Sequence, residues 1–331
     1  MLAAALCGAL ALASGACGGG SGPPDVPGRR APRWFAPTSV WNRPLPRNVR
    51  IDPQSATLVA ALAAQAKGSP PATINTTQYS TPVYTVSRRQ RRVRVTLDNH
   101  ATYAASLAHA IRRVPIPRNA QPARGSDEHM VVWQPATDTM WEFWKMQRKP
   151  DGWHAKSAGR MRHVSRNPGY FAGPTGFPWG ATATSLPLLG GLILPGELRR
   201  GRIDHALAIA IPRPRAGVWT FPAQRTDGWV RDPNAVPEGA RFRLDPSVNV
   251  ASLGLSRPVR AIARAAQRYG IIVRDYAGSV AFYAQDPTPL RRNPYPAIFG
   301  SRTMQESLRN FPWDKLQLIE MDRRSYRGPG K

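Results

Sequence analysis

Met130-Val131-Val132-Trp133-Gln134-Pro135-Ala136-Thr137-Asp138-Thr139-Met140-Trp141-Glu142-Phe143-Trp144-Lys145-Met146 decides the fold class. Two runs rich in β-branched and aromatic residues flank the turn-forming Pro135-Ala136-Thr137-Asp138, which predicts a β-hairpin. Successive side chains of a strand point to opposite faces. Glu142 and Trp144 therefore share one face, and Trp141 and Phe143 share the other. One face belongs to a core. The other sets a carboxylate beside an indole, a pairing suited to protonating a glycosidic oxygen and stacking a sugar. An apolar ring beside a carboxylate raises its pKa, as a general acid requires.

Outward from this hairpin, short strands recur. Thr81–Ser87, Arg92–Leu97 and His129–Gln134 read as strands before its turn, and His205–Ile211 reads as one well after it. Ile271–Asp275 and Val280–Tyr283 flank Tyr276-Ala277-Gly278-Ser279 and predict a second hairpin. Two helices stand out. Ser55–Ala66 follows Asp52-Pro53 and stops at Gly68; Pro258–Tyr269 carries an apolar stripe and stops at Gly270. Gly159–Gly191 is rich in glycine, aromatic residues and arginine without periodicity, and reads as long loops over a sheet face. The predicted fold is mainly β, an antiparallel sandwich or jelly-roll-like body with a few peripheral helices. Residues 33–331 form its single globular domain.

Composition narrows the function. The chain has 331 residues, 42% of them hydrophobic and 20% charged, an ordinary globular balance. Glycine and proline together number 62, which disfavours long helices. Forty-six basic residues, 40 of them arginine, oppose 20 acidic ones for a net charge of +26. That excess attracts polyanions. Its densest patch is Arg88, Arg89, Arg91, Arg92 and Arg94, which reads chiefly as a solvated basic edge. Two cysteines and six histidines exclude a cysteine-rich metal scaffold, and neither HExxH, a phosphate-binding glycine loop nor a G-x-S-x-G elbow occurs. No cofactor is expected, although calcium on a few loop oxygens stays compatible with the acids present.

The amino terminus carries an address. Residues 1–16 are an apolar run too short to span a membrane and of the length of a signal peptide. Residues 17–32 hold GGGSGPP and read as a flexible tether. Leu12-Ala13-Ser14-Gly15-Ala16-Cys17 resembles a bacterial lipoprotein signal, with small residues before the cysteine. That resemblance implies export, lipidation of Cys17 and a membrane anchor. It turns the positive charge toward wall polymers and glycans and away from nucleic acid.

Candidate chemistry follows from the polar residues at strand ends. Asp127 and His129 sit where a loop enters a strand, and Asp204 and His205 begin another. Two carboxylates, Glu142 with Asp127 or Asp204, suffice for glycoside hydrolysis, and their separation distinguishes retention from inversion. On an acidic polymer, elimination is the alternative. His129, His163, His205 or Tyr170 would then act as base and Arg160, Arg162 or Arg166 would neutralise the uronate. Trp144, Trp141 and Tyr170, with Arg160 and Arg162, are the expected sugar contacts. The body broadly resembles exported bacterial sandwich proteins that act on or bind polysaccharide. The expected function is an exported, monomeric polysaccharide-cleaving enzyme, hydrolase ahead of lyase. Its alternative is a non-catalytic glycan- or wall-binding lipoprotein.

Overall fold

The computed structural model describes residues 33–99, 104–171 and 179–325. The proposed signal, the tether and Cys17 lie outside the described residues. The hairpin forms: β4 (Met130–Gln134) pairs antiparallel with β5 (Thr139–Trp144), placing Val131 opposite Glu142. Its turn is a single 3₁₀ turn closed by Asp138 in the left-handed region. On either side lie β2 (Val83–Thr85), parallel to β4, and β8 (Ser157–Arg162), antiparallel to β5. The result is a four-stranded sheet in the order β2-β4-β5-β8. β8 takes the first residues of the segment read as loop, so sheet continues further there than its glycines suggested.

A six-stranded sheet runs β1-β13-β9-β12-β11-β14. These strands are β1 (Thr73–Asn75), β9 (Leu207–Ile211), β11 (Arg241–Leu244), β12 (Ile271–Tyr276), β13 (Ala281–Tyr283) and β14 (Leu316–Leu318). The second hairpin does not form. β9 inserts between β12 and β13, parallel to the first and antiparallel to the second. Every residue of Leu207-Ala208-Ile209-Ala210-Ile211 is buried, as a central strand covered on both faces requires. That double cover outweighs the short-range pairing across Tyr276–Ser279. The expectation of a sheet-rich body with a few helices holds. Wholly antiparallel pairing does not, because β1/β13, β9/β12, β2/β4 and the pair β3 (Val95–Leu97)/β7 (Gly152–Ala155) run parallel.

Three apolar clusters follow from strand alternation. Leu207, Ile209 and Ile211 face one cluster with Leu58 and Leu62 of α1 (Ser55–Lys67) and Val259 and Ile262 of α4 (Arg257–Arg268). Ala208 and Ala210 face another with Val83, Val131, Met140 and Met161 of the four-stranded sheet and Leu186, Leu188 and Leu189 between them. Trp141 and Phe143 turn to the third, with Trp153 of β7 and Leu107 of α2 (Ala104–Ala110). Small alanines on one face of β9 leave room for the leucine-rich segment. Gly191 shows how close that approach is: at φ +67 it lies so near β9 that a Cβ would come within 2.3 Å of the Ala208 nitrogen.

α1 begins at Ser55, and Asp52 works just ahead of it. Asp52 Oδ1 accepts the Gln54 N–H and both its oxygens receive Arg323, tying the helix start to the far end of the chain. Among the described residues no helix is long and apolar enough to cross a membrane.

Candidate functional site

The loop before β4 turns through Gly125 and Glu128, both at positive φ, and is zipped to the end of β5. Lys145 N–H donates to the Asp127 carbonyl at 2.9 Å and Met146 N–H to that of Glu128 at 3.1 Å. This places Asp127 beside Trp144, whose Nε1 donates to Asp127 Oδ1 at 3.2 Å. Both side chains are half-buried. Lys145 Nζ lies 5.4 Å from the Trp144 ring, within cation–π range.

Opposite stands the Arg274-Asp275 pair of β12, at a point where the strand's register shifts. Arg274 is fully buried. Its Nη1 donates to the carbonyls of Leu188 at 3.0 Å and Gly190 at 3.1 Å, and its guanidinium lies 3.9 Å over the Tyr283 ring. Glu142 is equally buried and holds the same segment from the other sheet. Ala181 N–H donates to its Oε1 at 2.8 Å and Leu188 N–H to its Oε2 at 2.7 Å. Burial pushes the Glu142 carboxyl up to about 7, against the two N–H donors and Arg274, which favour the charged form. Complete enclosure, rather than the neighbouring indole alone, raises it. Both oxygens are occupied by backbone, so Glu142 acts as the anchor of residues 181–188.

His129 is buried and neither ring nitrogen makes a hydrogen bond. Burial, reinforced by Arg274 and Lys145, lowers its pKa to about 4 although Asp127 and the Ala181 backbone pull the other way. The imidazole is therefore neutral at pH 7.

Asp275, Asp227 and Glu238 bring one carboxylate oxygen each within 4.8 Å of the others. Asp275 comes from β12, Asp227 from the loop that the Trp219–Glu238 bridge closes, and Glu238 from the bridge itself. Asp275 is half-buried, and its Oδ1 accepts the Tyr276 N–H at 3.1 Å. Burial lifts its carboxyl to about 7, with Asp227 and Asp127 adding to the rise and Arg274 opposing it. Glu238 is fully buried and driven well above the usual carboxylate range by burial and by Asp227 and Asp275. Asp227 is raised too, chiefly by desolvation. Three carboxylates at this spacing have the geometry to hold a divalent cation; without one they share protons. Arg225 closes this side, donating from Nε to Ser185 Oγ and from Nη2 to the Thr182 carbonyl, each at 3.0 Å. Upstream, Phe221 is 40% exposed and packs edge-on against Tyr170, ring centres 5.6 Å apart.

The residues singled out from sequence thus divide. Asp127, His129, Glu142 and Trp144 belong to one polar region between the sheets. Asp204 and His205 do not join it: they precede β9 in the other sheet, so neither is a cross-strand neighbour of Glu142. His205 instead pairs with Glu197 at 3.2 Å, and Asp204 with Arg202 at 2.8 Å. His163 is exposed and contacts Arg166 at 3.2 Å. Trp141 is buried on the opposite face of β5, with Arg92 5.6 Å from its ring. Arg160 reaches the Ala110 carbonyl, and Arg162 is exposed.

Sequence reasoning passed over Arg225, Asp227, Glu238, Arg274, Asp275 and Tyr283. One signal was available. Arg274-Asp275 ends the apolar run Ile271-Ile272-Val273, and charge at the end of a fully buried strand needs a partner or a task. No family model, curated protein or solved structure matches this chain.

Proposed function

We propose that this chain is an exported carbohydrate-active enzyme that hydrolyses a glycosidic bond of a polysaccharide, with Asp275 as general acid and Asp127 as the second carboxyl group. One observation carries the reading. Asp275 is half-buried and keeps its proton up to about pH 7, while half-buried Asp127, close enough to raise it, accepts a hydrogen bond from Trp144. Glycoside hydrolysis needs a protonated carboxyl beside a second carboxyl group, and Asp275 with Asp127 offers that pair. Asp275 protonates the leaving oxygen. Asp127 stabilises the charge that develops at the anomeric carbon as the glycosidic bond breaks, and takes the proton of the water that bonds to that carbon. Trp144, Tyr170 and Phe221 offer ring faces for sugar stacking.

Hydrolysis is favoured over elimination by burial. His129 and Arg274, the imidazole and guanidinium beside Asp127 and Asp275, are 2% and 0% exposed, out of reach of a polymer as a lyase's base and neutraliser at this place. In this reading the two larger sheets are the leaves of a sandwich-like body that Cys17 anchors to a membrane by lipid. The net charge favours acidic wall glycans as substrate. A glycan-binding lipoprotein without catalysis is the second reading. Trp229, 53% exposed with Arg213 5.2 Å from its ring, favours it.

The test is incubation of the purified chain with neutral and acidic polysaccharides, following reducing ends and the absorbance of unsaturated uronates. Reducing ends without that absorbance are expected. Activity should fall as pH rises above about 7, and Asp275→Asn and Asp127→Asn should each lower kcat by roughly 10²–10⁴-fold with folding intact. Retained activity in both variants overturns the assignment. Silence across a panel that includes bacterial wall polymers, with binding preserved, selects the second reading.

A further inference from the structure

A cavity of about 410 Å³ lies away from the carboxylates of the candidate site. None of Asp127, Asp227, Glu238 or Asp275 lines it. Its size is that of a small-molecule pocket. Trp34, Phe35 and Trp41 supply aromatic walls. Trp41 Nε1 is committed to the Gly169 carbonyl at 2.7 Å, whereas the Trp34 indole N–H is buried without a partner. Asn42 donates to the carbonyls of Trp34 and Phe35 at 2.7 and 3.1 Å and fixes the aromatic corner.

Glu197 and His205 also line this cavity. The Leu194 N–H donates to Glu197 Oε2 at 2.9 Å, and His205 Nε2 stands 3.2 Å from Glu197 Oε1. Nδ1 of the same ring meets the Ala206 carbonyl at 2.7 Å. Both ring nitrogens face acceptors, which calls for the doubly protonated ring. Burial works against that charge, but Glu197, the Ala206 carbonyl and Asp204 outweigh it and hold the His205 pKa above its ordinary value. Arg33, Arg200 and Arg202 lie at the exposed rim. Arg202 is spent on Asp204; the guanidinium groups of Arg33 and Arg200 have no partner among the described residues.

Two acidic groups against three arginines and an imidazolium leave the cavity positive. An anion is the natural occupant. The unpaired guanidinium groups match a carboxylate, which arginine can grip with two parallel hydrogen bonds. The indole faces suit a ring, and the Glu197 and Asp204 carboxylates in the lining suit its hydroxyl groups. We propose that this cavity is a binding site for a carboxylate-bearing sugar ring, a uronic acid unit either free or at a chain end. The proposal makes the same protein a reader of acidic sugars at a place separate from where it cleaves them. It stands on this cavity alone and does not require cleavage at Asp127 and Asp275.

Tryptophan emission and titration calorimetry on the full chain provide the test, with methyl glucuronide, a glucuronate-terminated disaccharide, glucose and benzoate as probes. Binding of either glucuronide, at least tenfold tighter than of glucose or benzoate, is expected. A preference for the disaccharide assigns the site to chain ends, and equal affinity assigns it to free sugar acids. Arg200→Ala should weaken the glucuronides about tenfold, and Arg200→Lys by less, since lysine keeps the charge and loses the fork. Asp275→Asn should leave this binding unchanged, so failure of hydrolysis and failure of this proposal read out separately. Glucose or benzoate binding as well as the glucuronides, no binding at all, or affinity indifferent to Arg200→Ala overturns it.

Discussion

Replacing Glu142 by glutamine tests whether the buried carboxylate anchors residues 181–188, and pH separates its two energetic roles. The folded protein holds the Glu142 proton up to about pH 7, against an ordinary value of 4.5. Its contribution to stability is therefore full below the unfolded value and drains away as pH rises through the folded one. Across that range the loss amounts to roughly 3 kcal/mol, of which about 2.5 falls between pH 5 and pH 8. Glutamine does not titrate. It can accept from one of the two backbone donors, Ala181 N–H or Leu188 N–H, but its own NH₂ confronts the other. An unsatisfied buried donor costs about 1–3 kcal/mol.

The two effects combine into a signature. At pH 5 the variant should be less stable than the parent by the mismatch less the small penalty already present, of order 1–2 kcal/mol. At pH 8 the parent carries the full burden of an ionised buried carboxylate. The difference should then shrink by about 2.5 kcal/mol and can change sign. Urea unfolding at both pH values, monitored by tryptophan fluorescence, measures it. Asp275, Glu238 and His205 also titrate in the folded chain, but they do so in both proteins and cancel. A destabilisation equal at pH 5 and pH 8 within about 0.5 kcal/mol would refute the reasoning, because Glu142 would then not change charge across that interval.

Three further outcomes are expected. His154 is held above its ordinary pKa by a 2.8 Å bond to Asp98, with Asp151 on its other nitrogen; His154→Gln should destabilise at pH 6 and do progressively less harm as pH rises through the folded value, which thermal melts across pH 6–9 would show. Chelation with EDTA should leave hydrolysis unchanged if Asp275 works through its own proton, and loss of activity that calcium restores would reassign Asp227, Glu238 and Asp275 to a metal centre. Gly191→Ala should cost about 3 kcal/mol or more or prevent folding, since its Cβ would drive into the Ala208 backbone at positive φ; a melting temperature within a few degrees of the parent would contradict the close approach.

Local patterning was legible where a residue's neighbours in sequence decide its environment. The β4–β5 hairpin, the division of Glu142 and Trp144 from Trp141 and Phe143, and the helices stopped at Gly68 and near Gly270 all follow from period and punctuation. Strand order was not. Tyr276–Ser279 has the chemistry of a hairpin turn, yet the burial available to both faces of β9 places that strand between its arms. The candidate site failed to show itself for the same reason. Asp227, Glu238 and Asp275 are spread over almost fifty positions and become neighbours only when loops beside Thr220 and Glu238 meet the end of β12.

Residues 181–191 link the two regions physically. Glu142 holds Ala181 and Leu188 from one sheet; Arg274 holds Leu188 and Gly190 from the other. Along the same stretch, Ala183 N–H points to Asp275 at 3.5 Å, and Leu189 and Gly191 line the positive cavity. Two opposite charges thus share one backbone segment without touching each other: peptide dipoles of that segment meet both Glu142 oxygens and Arg274 Nη1, while Arg274 Nε and Nη2 are buried without a hydrogen-bond partner. Removing either charge strands the donors or acceptors it satisfies, so both the acid and the cavity depend on the pair being intact. Buried ions of this kind are costly to maintain and are often outperformed in stability by apolar residues of the same shape. A double replacement, Glu142→Gln with Arg274→Met, should consequently recover part of the stability lost in either single variant, while the Asp275 acid and the glucuronide affinity of the cavity remain impaired. Stability and both functions returning together would mean that the charges serve only to hold the fold.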